Sequence, residues 1–164
     1  MSPQDIVVLL KIGSLNGHDW FQKSLADSLA LSQSEISKSL SRSKYAELLS
    51  DDGKVVRKQA LLEFLQFGIR YVFPVKPGPL MRGIPTSHSA SPLNKIIVSD
   101  EAYVWPSAKG TVRGSAIVPL YKSIVKAVER DPMLHELLAL VDALRVGRVR
   151  EKNFAIEELN RRLK

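Results

Sequence analysis

The sequence predicts a mainly α chain of the α+β class, and three observations support this prediction. Apolar residues recur at helical spacing before residue 70 and again after residue 120. The stretch between them is rich in proline and glycine and holds short runs of β-branched and aromatic residues, which favour loops and short strands. We therefore divide the chain into residues 1–70, an ordered Pro/Gly-rich extension at residues 71–120, and a C-terminal helical region at residues 121–164.

Composition narrows the class of protein. The 164 residues include no cysteine, which excludes disulfides and thiolate chemistry. The apolar runs are too short to cross a bilayer and no secretory signal is evident, so we expect a soluble cytoplasmic protein. The nucleotide-binding and metalloprotease motifs are absent, so we expect no enzyme activity, no cofactor and no metal.

The net charge of +7 favours a polyanionic partner. Residues 1–70 carry 9 Lys/Arg against 8 Asp/Glu, a net of +1. Residues 71–164 carry 15 against 9, a net of +6. Most of the positive charge therefore lies outside the N-terminal segment.

The first helix has a clear start signal. Ser2 can cap it, Pro3 suits its first turn, and Asp5 stands three residues after the cap. Its predicted buried face consists of Ile6, Val7 and Leu10. Asn16-Gly17 ends it.

Two short helices joined by a tight turn are predicted between Phe21 and Leu49. The first carries an apolar stripe formed by Trp20, Phe21, Leu25 and Leu29. The second, predicted over residues 32–46, begins with a capping box of Ser32 and Glu35. Ile36 and Leu40 then point inward, four residues apart.

The outward side of this second helix is polar. It consists of Gln33, Ser34, Ser37, Lys38, Ser41 and Arg42. Glutamine can bond adenine through two atoms, arginine can bond guanine, and serine and lysine can hold phosphates. This surface is typical of a helix that lies in a DNA major groove.

The pair of helices resembles the helix-turn-helix of bacterial winged-helix transcription regulators. The resemblance rests on Leu25-Ala26 in the first helix and Leu31-Ser32 at the turn, and it covers residues 1–70. It implies sequence-specific binding of double-stranded DNA, transcription regulation as a repressor or an activator, and a homodimer. The chain departs from many relatives at Ser43, where a leucine often packs.

A short hairpin is predicted after the second helix, where winged-helix domains carry their wing. Asp52-Gly53 lies between the apolar pairs Leu48-Leu49 and Val55-Val56. Lys54 and Arg57 are the cations we expect to contact the DNA backbone from this hairpin.

A helix at residues 58–70 is apolar on more than one side. This pattern predicts burial from two directions, either within one chain or against a second subunit.

The extension contains two strand candidates, at residues 96–98 and residues 103–105, and a repeated Arg-Gly pair. Arg82 and Arg113 each precede a glycine, and we expect each to contact a phosphate or a partner, or to form an internal ion pair. The neighbouring Ser87-His88 lacks the sequence context of a nucleophile, so a hydrolase is disfavoured.

The C-terminal region predicts three helices. They cover residues 121–130, a helix beginning at Asp131-Pro132 and ending at Gly147, and residues 148–163. Their apolar stripes are suited to dimerisation or partner binding. The basic residues near the last hinge, Arg145, Arg148 and Arg150, are candidate partner or phosphate contacts.

Two alternative functions remain open at this stage. The protein could be an antitoxin or adaptor that binds a protein through residues 71–164 and regulates its own synthesis through the helix-turn-helix. It could also bind RNA or single strands by stacking bases on Phe73, Tyr103 and Trp105 beside Arg113.

Overall fold

The computed structural model describes residues 1–163, which form eight α-helices, three strands and three short 3₁₀ turns. The predicted mainly α, α+β class is therefore confirmed. None of the helices in the described range is both long and apolar enough to span a membrane.

Three helices form the N-terminal part. α1 (Pro3–Ser14) begins where the backbone N–H of Ser2 donates to the Asp5 carboxylate at 2.8 Å. α2 (Gln22–Leu29) and α3 (Gln33–Tyr45) are separated by residues 30–32 only. Both α2 and α3 pack against α1. The helix predicted over residues 32–46 is confirmed, with Ser32 as its N-cap and Ala46 as its C-cap.

The hairpin predicted after α3 is reduced to one bridge. Leu49 and Val56 form a single antiparallel pair, and the Ser50 N–H donates to the Val55 carbonyl at 2.8 Å. Gly53 supplies the turn with φ of +73°, a conformation that other residues adopt at a cost. We call residues 48–57 the bridge loop.

α4 (Lys58–Phe67) and α5 (Ile69–Val72) follow one another across Gly68. One side is buried through Leu61, Leu65 and Ile69. The other side leaves Phe67 and Tyr71 exposed. The prediction of burial from two directions is thus not met within a single chain.

The extension folds into a small closed barrel of three strands. β1 (Leu80–Pro85) pairs antiparallel with both β2 (Tyr103–Pro106) and β3 (Val112–Ala116), while β2 and β3 are parallel. A Cβ placed on Gly83 would lie 2.0 Å from the Trp105 carbonyl oxygen, so only glycine allows this approach. The strand predicted at residues 103–105 is confirmed, whereas the strand predicted at residues 96–98 is wrong.

The C-terminal helices are arranged around α7. α6 (Ile124–Ala127) continues into a 3₁₀ turn (Val128–Arg130), so the predicted helix 121–130 is shorter than expected. The Asp131 carboxylate caps α7 (Pro132–Val146) by accepting from the Leu134 N–H at 3.0 Å. α8 (Val149–Arg162) packs along α7.

The three sequence segments share one hydrophobic core. α7 is buried almost throughout and contacts α1, α4, α5 and α8. Polar contacts join the two ends of the chain: Lys11 pairs with Asp131 at 2.6 Å, and Tyr121 donates to Glu35 at 3.0 Å. The N-terminal helices are thereby held against the C-terminal half.

Candidate nucleic-acid interface

α3 separates its side chains into two opposite sides. Ile36 and Leu40 are buried against the other N-terminal helices. The opposite side is exposed and is polar from Gln33 to Ser41, and Tyr45 is exposed at the end of the helix. We call the polar part the polar face of α3. It consists of Gln33, Ser34, Ser37, Lys38 and Ser41.

Local hydrogen bonds establish where α3 begins. The Ser32 hydroxyl accepts from the Glu35 N–H at 3.1 Å, and the Glu35 carboxylate accepts from the Ser32 N–H at 2.8 Å. Hydrogen bonds from the Ser32 backbone and then from Tyr121 hold the pKa of Glu35 below its ordinary value. Glu35 therefore stays ionised and keeps the first turn closed.

A polar seam between α1 and α3 changes the role of Arg42. Its Nε donates to Asp5 Oδ2 at 2.9 Å and its Nη2 donates to Asp5 Oδ1 at 2.7 Å. Gln4 joins the seam by accepting from Arg42 and donating to Glu35, both at 3.3 Å. The expected guanine contact from Arg42 is not supported, because the fork of its guanidinium is occupied by a fully buried carboxylate.

The two cations expected on the bridge loop differ in their surroundings. Lys54 is exposed, and its ammonium lies 5.1 Å from the centroid of the Trp20 ring. Trp20 in turn donates to the Lys54 carbonyl at 3.2 Å, which fixes the loop against the start of α2. Arg57 pairs with Asp51 at 3.0 Å, but both side chains are exposed, so this ion pair is weak and can be exchanged.

A groove of about 420 Å³ lies between the start of α2, the polar face of α3 and the bridge loop. Its lining includes Gln22, Ser37, Ser41, Lys44 and Lys54. Gln22 and Lys44 were not among the site residues predicted from the sequence. Lys44 is detectable from helical spacing, since it lies three residues after Ser41 on the same side of α3.

The groove lining also includes the Asp52 carboxylate, which Lys44 and Lys54 outnumber, so the surface is suited to polyanion recognition. Amide, hydroxyl and ammonium groups can bond base edges and phosphate oxygens. Within residues 1–163 no group of three or more acidic or histidine side chains lies close enough to hold a metal ion.

The other arginines predicted as partner or phosphate contacts lie in separate regions of the structure. Arg82 and Arg113 are brought opposite each other on β1 and β3, and both are exposed. Arg148 and Arg150 are exposed at the start of α8, where Arg150 lies 5.7 Å from the Phe154 ring centroid.

The prediction that Arg145 contacts a partner is wrong. Arg145 is buried and donates to Asp142 at 2.8 Å and to the Phe73 carbonyl at 2.9 Å. Asp142 also accepts from Thr86 at 2.6 Å and Trp105 at 2.7 Å, so this network joins α7 to the barrel. Burial raises the pKa of Asp142, and Arg145 opposes that shift.

The same network argues against base stacking on Trp105, whereas Phe73 and Tyr103 are half-buried. Trp105 is fully buried and its indole N–H is used by Asp142. The neighbouring Ser87 and His88 are also buried, and the His88 Nε2 is 2.7 Å from the Glu101 carbonyl oxygen. Trp105, Ser87 and His88 therefore contribute to the packing of the extension.

No model of a known protein family, no curated protein and no solved structure matches this chain.

Proposed function

We propose that the protein is a sequence-specific, double-stranded DNA-binding transcription regulator that acts in the cytoplasm. In this proposal α2 and α3 form a helix-turn-helix, and α3 lies in the major groove. The observation that carries the proposal is the exposed polar face of α3, opposite a buried apolar side. A three-residue connection between the two helices supports it, since this length is usual in the motif.

The side chains have distinct expected roles. Gln33 and Ser34 lie in the first turn of α3, where recognition helices contact base edges. Ser37, Lys38 and Ser41 continue the same surface. The bridge loop serves as a short wing, from which Lys54 and Arg57 contact backbone phosphates, and Lys44 contributes from the end of α3.

A homodimer is part of the proposal, because paired half-sites give a helix-turn-helix protein its usual target. We assign the dimer interface to the exposed apolar stripe of α4 and α5. Phe67 is 67% exposed and Tyr71 is 75% exposed. Antiparallel packing about a two-fold axis at Phe67 would bring Glu63 of one copy beside Arg70 of the other.

A dimer of this kind can be tested by light scattering. Phe67→Ser should shift the full chain from dimer to monomer at micromolar concentration. Val149→Ser, which removes an apolar residue 74% exposed on α8, should leave the dimer intact. A monomeric wild-type chain would refute this surface.

The same apolar stripe favours one second function, that of an antitoxin or adaptor that binds a protein partner and uses DNA binding for autoregulation. The two functions are distinguished by co-purification from the native host. A stoichiometric partner that is lost in Phe67→Ser, together with a monomeric purified chain, would favour the adaptor.

The experiment that tests DNA binding is selection of bound sequences from random duplexes with the full chain. We expect enrichment of one motif, with inverted symmetry if the dimer is correct. Gln33→Ala should weaken binding to that motif by about 1–3 kcal/mol and relax preference at one base pair. Asn153→Ala, an exposed amide on α8, should change neither.

The selection can also contradict the proposal. Absence of enrichment would remove sequence-specific duplex binding. Enrichment that is insensitive to substitutions on the polar face would remove α3 from the interface.

A further inference from the structure

The two Arg-Gly pairs of the extension lie side by side in the barrel. Arg82 and Arg113 are direct partners across the antiparallel β1–β3 ladder, so their side chains leave the same face. The glycines that follow them are explained by packing. A Cβ at Gly83 would meet the Trp105 backbone and one at Gly114 would meet the Ala102 backbone.

The arginines have no such internal explanation. Like charges that face each other across a ladder destabilise it. Within residues 1–163 neither guanidinium has a carboxylate within 4.0 Å or a hydrogen-bond acceptor. A planar fork of donors is suited to phosphate or carboxylate oxygens, so this exposed pair has the chemistry of an anion site.

Contacts connect this pair to the α2–α3 connection. The Ser107 N–H donates to the Arg82 carbonyl at 3.1 Å, which places the β2–β3 turn beside Arg82. Lys109 of that turn pairs with Glu129 at 3.3 Å. Glu129 in turn lines a groove together with Ser28 and Ala30, which lie at the end of α2 and in the connection.

The lining of that groove carries three cationic side chains and three carboxylates, and two of the carboxylates are engaged in ion pairs. Lys11 is paired with Asp131 and Glu129 with Lys109. The cations left along the groove are Lys126 and Arg130, both exposed, and Asp27 is the carboxylate that faces them. We call Arg82, Arg113, Lys126 and Arg130 the basic track.

We propose that the basic track binds the backbone phosphates of the duplex that α3 contacts, beyond the base pairs under the helix-turn-helix. This inference rests on the proposed function and extends it to the C-terminal half. It also gives a role to the net charge of +6 after residue 70. Phosphate contacts add affinity without sequence preference, so the track lengthens the bound site and does not change the motif.

Duplex DNA is favoured over the other anionic partners by the shape of the barrel. A closed barrel has no free strand edge, so a peptide cannot add to it as a strand. The β1–β3 ladder that carries Arg82 and Arg113 contains no aromatic residue, and the Trp105 ring of the neighbouring β2 is fully buried. The two arginines therefore have no stacking surface for single-stranded bases on their own ladder.

The test uses the full chain and two labelled duplexes that carry the selected motif. One duplex covers only the motif, and the other extends it by about 10 bp, one helical turn, on each side. Binding is measured by fluorescence anisotropy over about 50–200 mM salt, and the slope of log K against log salt is compared. Each phosphate contact contributes about 0.9 to that slope.

We expect wild type to have a steeper slope on the extended duplex than on the short one. The double variant Arg82→Gln/Arg113→Gln should lose about 2 units of slope on the extended duplex and none on the short one. Lys126→Gln/Arg130→Gln, which changes a different element, should behave in the same way. Lys95→Gln, an exposed lysine on the 3₁₀ turn that packs against α8, is the matched control and should resemble wild type.

The outcomes separate this inference from the proposed function. Wild-type slopes on the extended duplex in both double variants, combined with loss of binding in Gln33→Ala, would overturn the basic track and leave α3 in place. If the double variants keep the wild-type melting temperature and lose the same amount of slope on both duplexes, the basic track does not contact phosphates beyond the motif. If the wild-type chain selects no duplex, both the proposed function and the binding of DNA by the basic track are refuted. Capture of an acidic protein partner by the wild-type chain, but not by Arg82→Gln/Arg113→Gln, would then identify a protein as the ligand of the track.

Discussion

Replacement of Arg42 by alanine distinguishes a structural role from a DNA contact. The substitution leaves the Asp5 carboxylate, which is 0% exposed, without the two guanidinium donors at 2.7 and 2.9 Å. Removal of one partner from a fully buried ion pair costs about 3–5 kcal/mol. Exposed pairs contribute about 0–1 kcal/mol.

The Arg42–Asp5 pair lies between these limits. The Arg42 side chain is 36% exposed, and Asp5 retains the hydrogen bond from the Ser2 N–H after the substitution. We therefore expect Arg42→Ala to lower the free energy of unfolding by about 2 kcal/mol. Urea denaturation followed by circular dichroism gives this value, provided the m-value is unchanged.

A double-mutant cycle shows whether the loss belongs to this pair. Asp5→Ala/Arg42→Ala should lower the free energy of unfolding by less than the sum of the two single substitutions. The double variant has no unpaired charge, whereas each single variant leaves one partner of the ion pair behind. The α3 capping box is linked to Arg42 only through Gln4, and its two Ser32–Glu35 hydrogen bonds do not involve either substituted residue. Unchanged stability in Arg42→Ala, together with relaxed sequence preference in the DNA selection, would refute this reasoning and return Arg42 to the groove.

Three further predictions concern α3 and its approach. The hydroxyls of Ser39 and Ser43 are buried without a hydrogen-bond partner among the described residues. In urea denaturation, Ser39→Ala and Ser43→Ala should therefore each raise the free energy of unfolding by about 1 kcal/mol. Ser37→Ala, on the exposed polar face, should not. Ala30 has φ of +53° in the α2–α3 connection, so Ala30→Gly should raise the melting temperature by relieving about 1 kcal/mol of left-handed strain; a lower melting temperature would contradict that conformation. The pKa of Glu35 is lowered in the folded chain, so its contribution to stability is present above its ordinary value of 4.5 and is lost as pH falls through the folded pKa. The difference in melting temperature between wild type and Glu35→Gln should therefore shrink below pH 4.5, and a constant difference would argue against the capping role.

The exposure of the α3 surface can be predicted from the sequence because the signal is local. The polar face of α3 follows from helical spacing and from a cap that spans three residues. Lys44 was missed although it obeys the same spacing. Arg42 obeys that spacing too, yet its partner Asp5 is 37 residues away, and no local pattern indicates such a pairing.

The extension was predicted only in outline. Proline, glycine and short apolar runs indicated an ordered segment with strands, and residues 103–105 were identified correctly. The Arg-Gly pairs lie in β1 and β3, and neither strand was among the strand candidates. Their glycines are required by backbone approaches within the closed barrel, which depend on which strands become neighbours.

By itself, the sequence determined the capped helices, the turn at Gly53 and the chemistry of the α3 surface, because each depends on interactions within a few residues. Which charged side chains remain unpaired depends on long-range packing. Folding buries Arg145 with Asp142, joins Arg42 to Asp5, and sets Arg82 opposite Arg113. Asp142 and Arg145 are three residues apart on α7, so helical spacing already places them together, but their burial depends on packing against the barrel. The other two pairings join residues that are distant in sequence, so periodicity and composition do not indicate them.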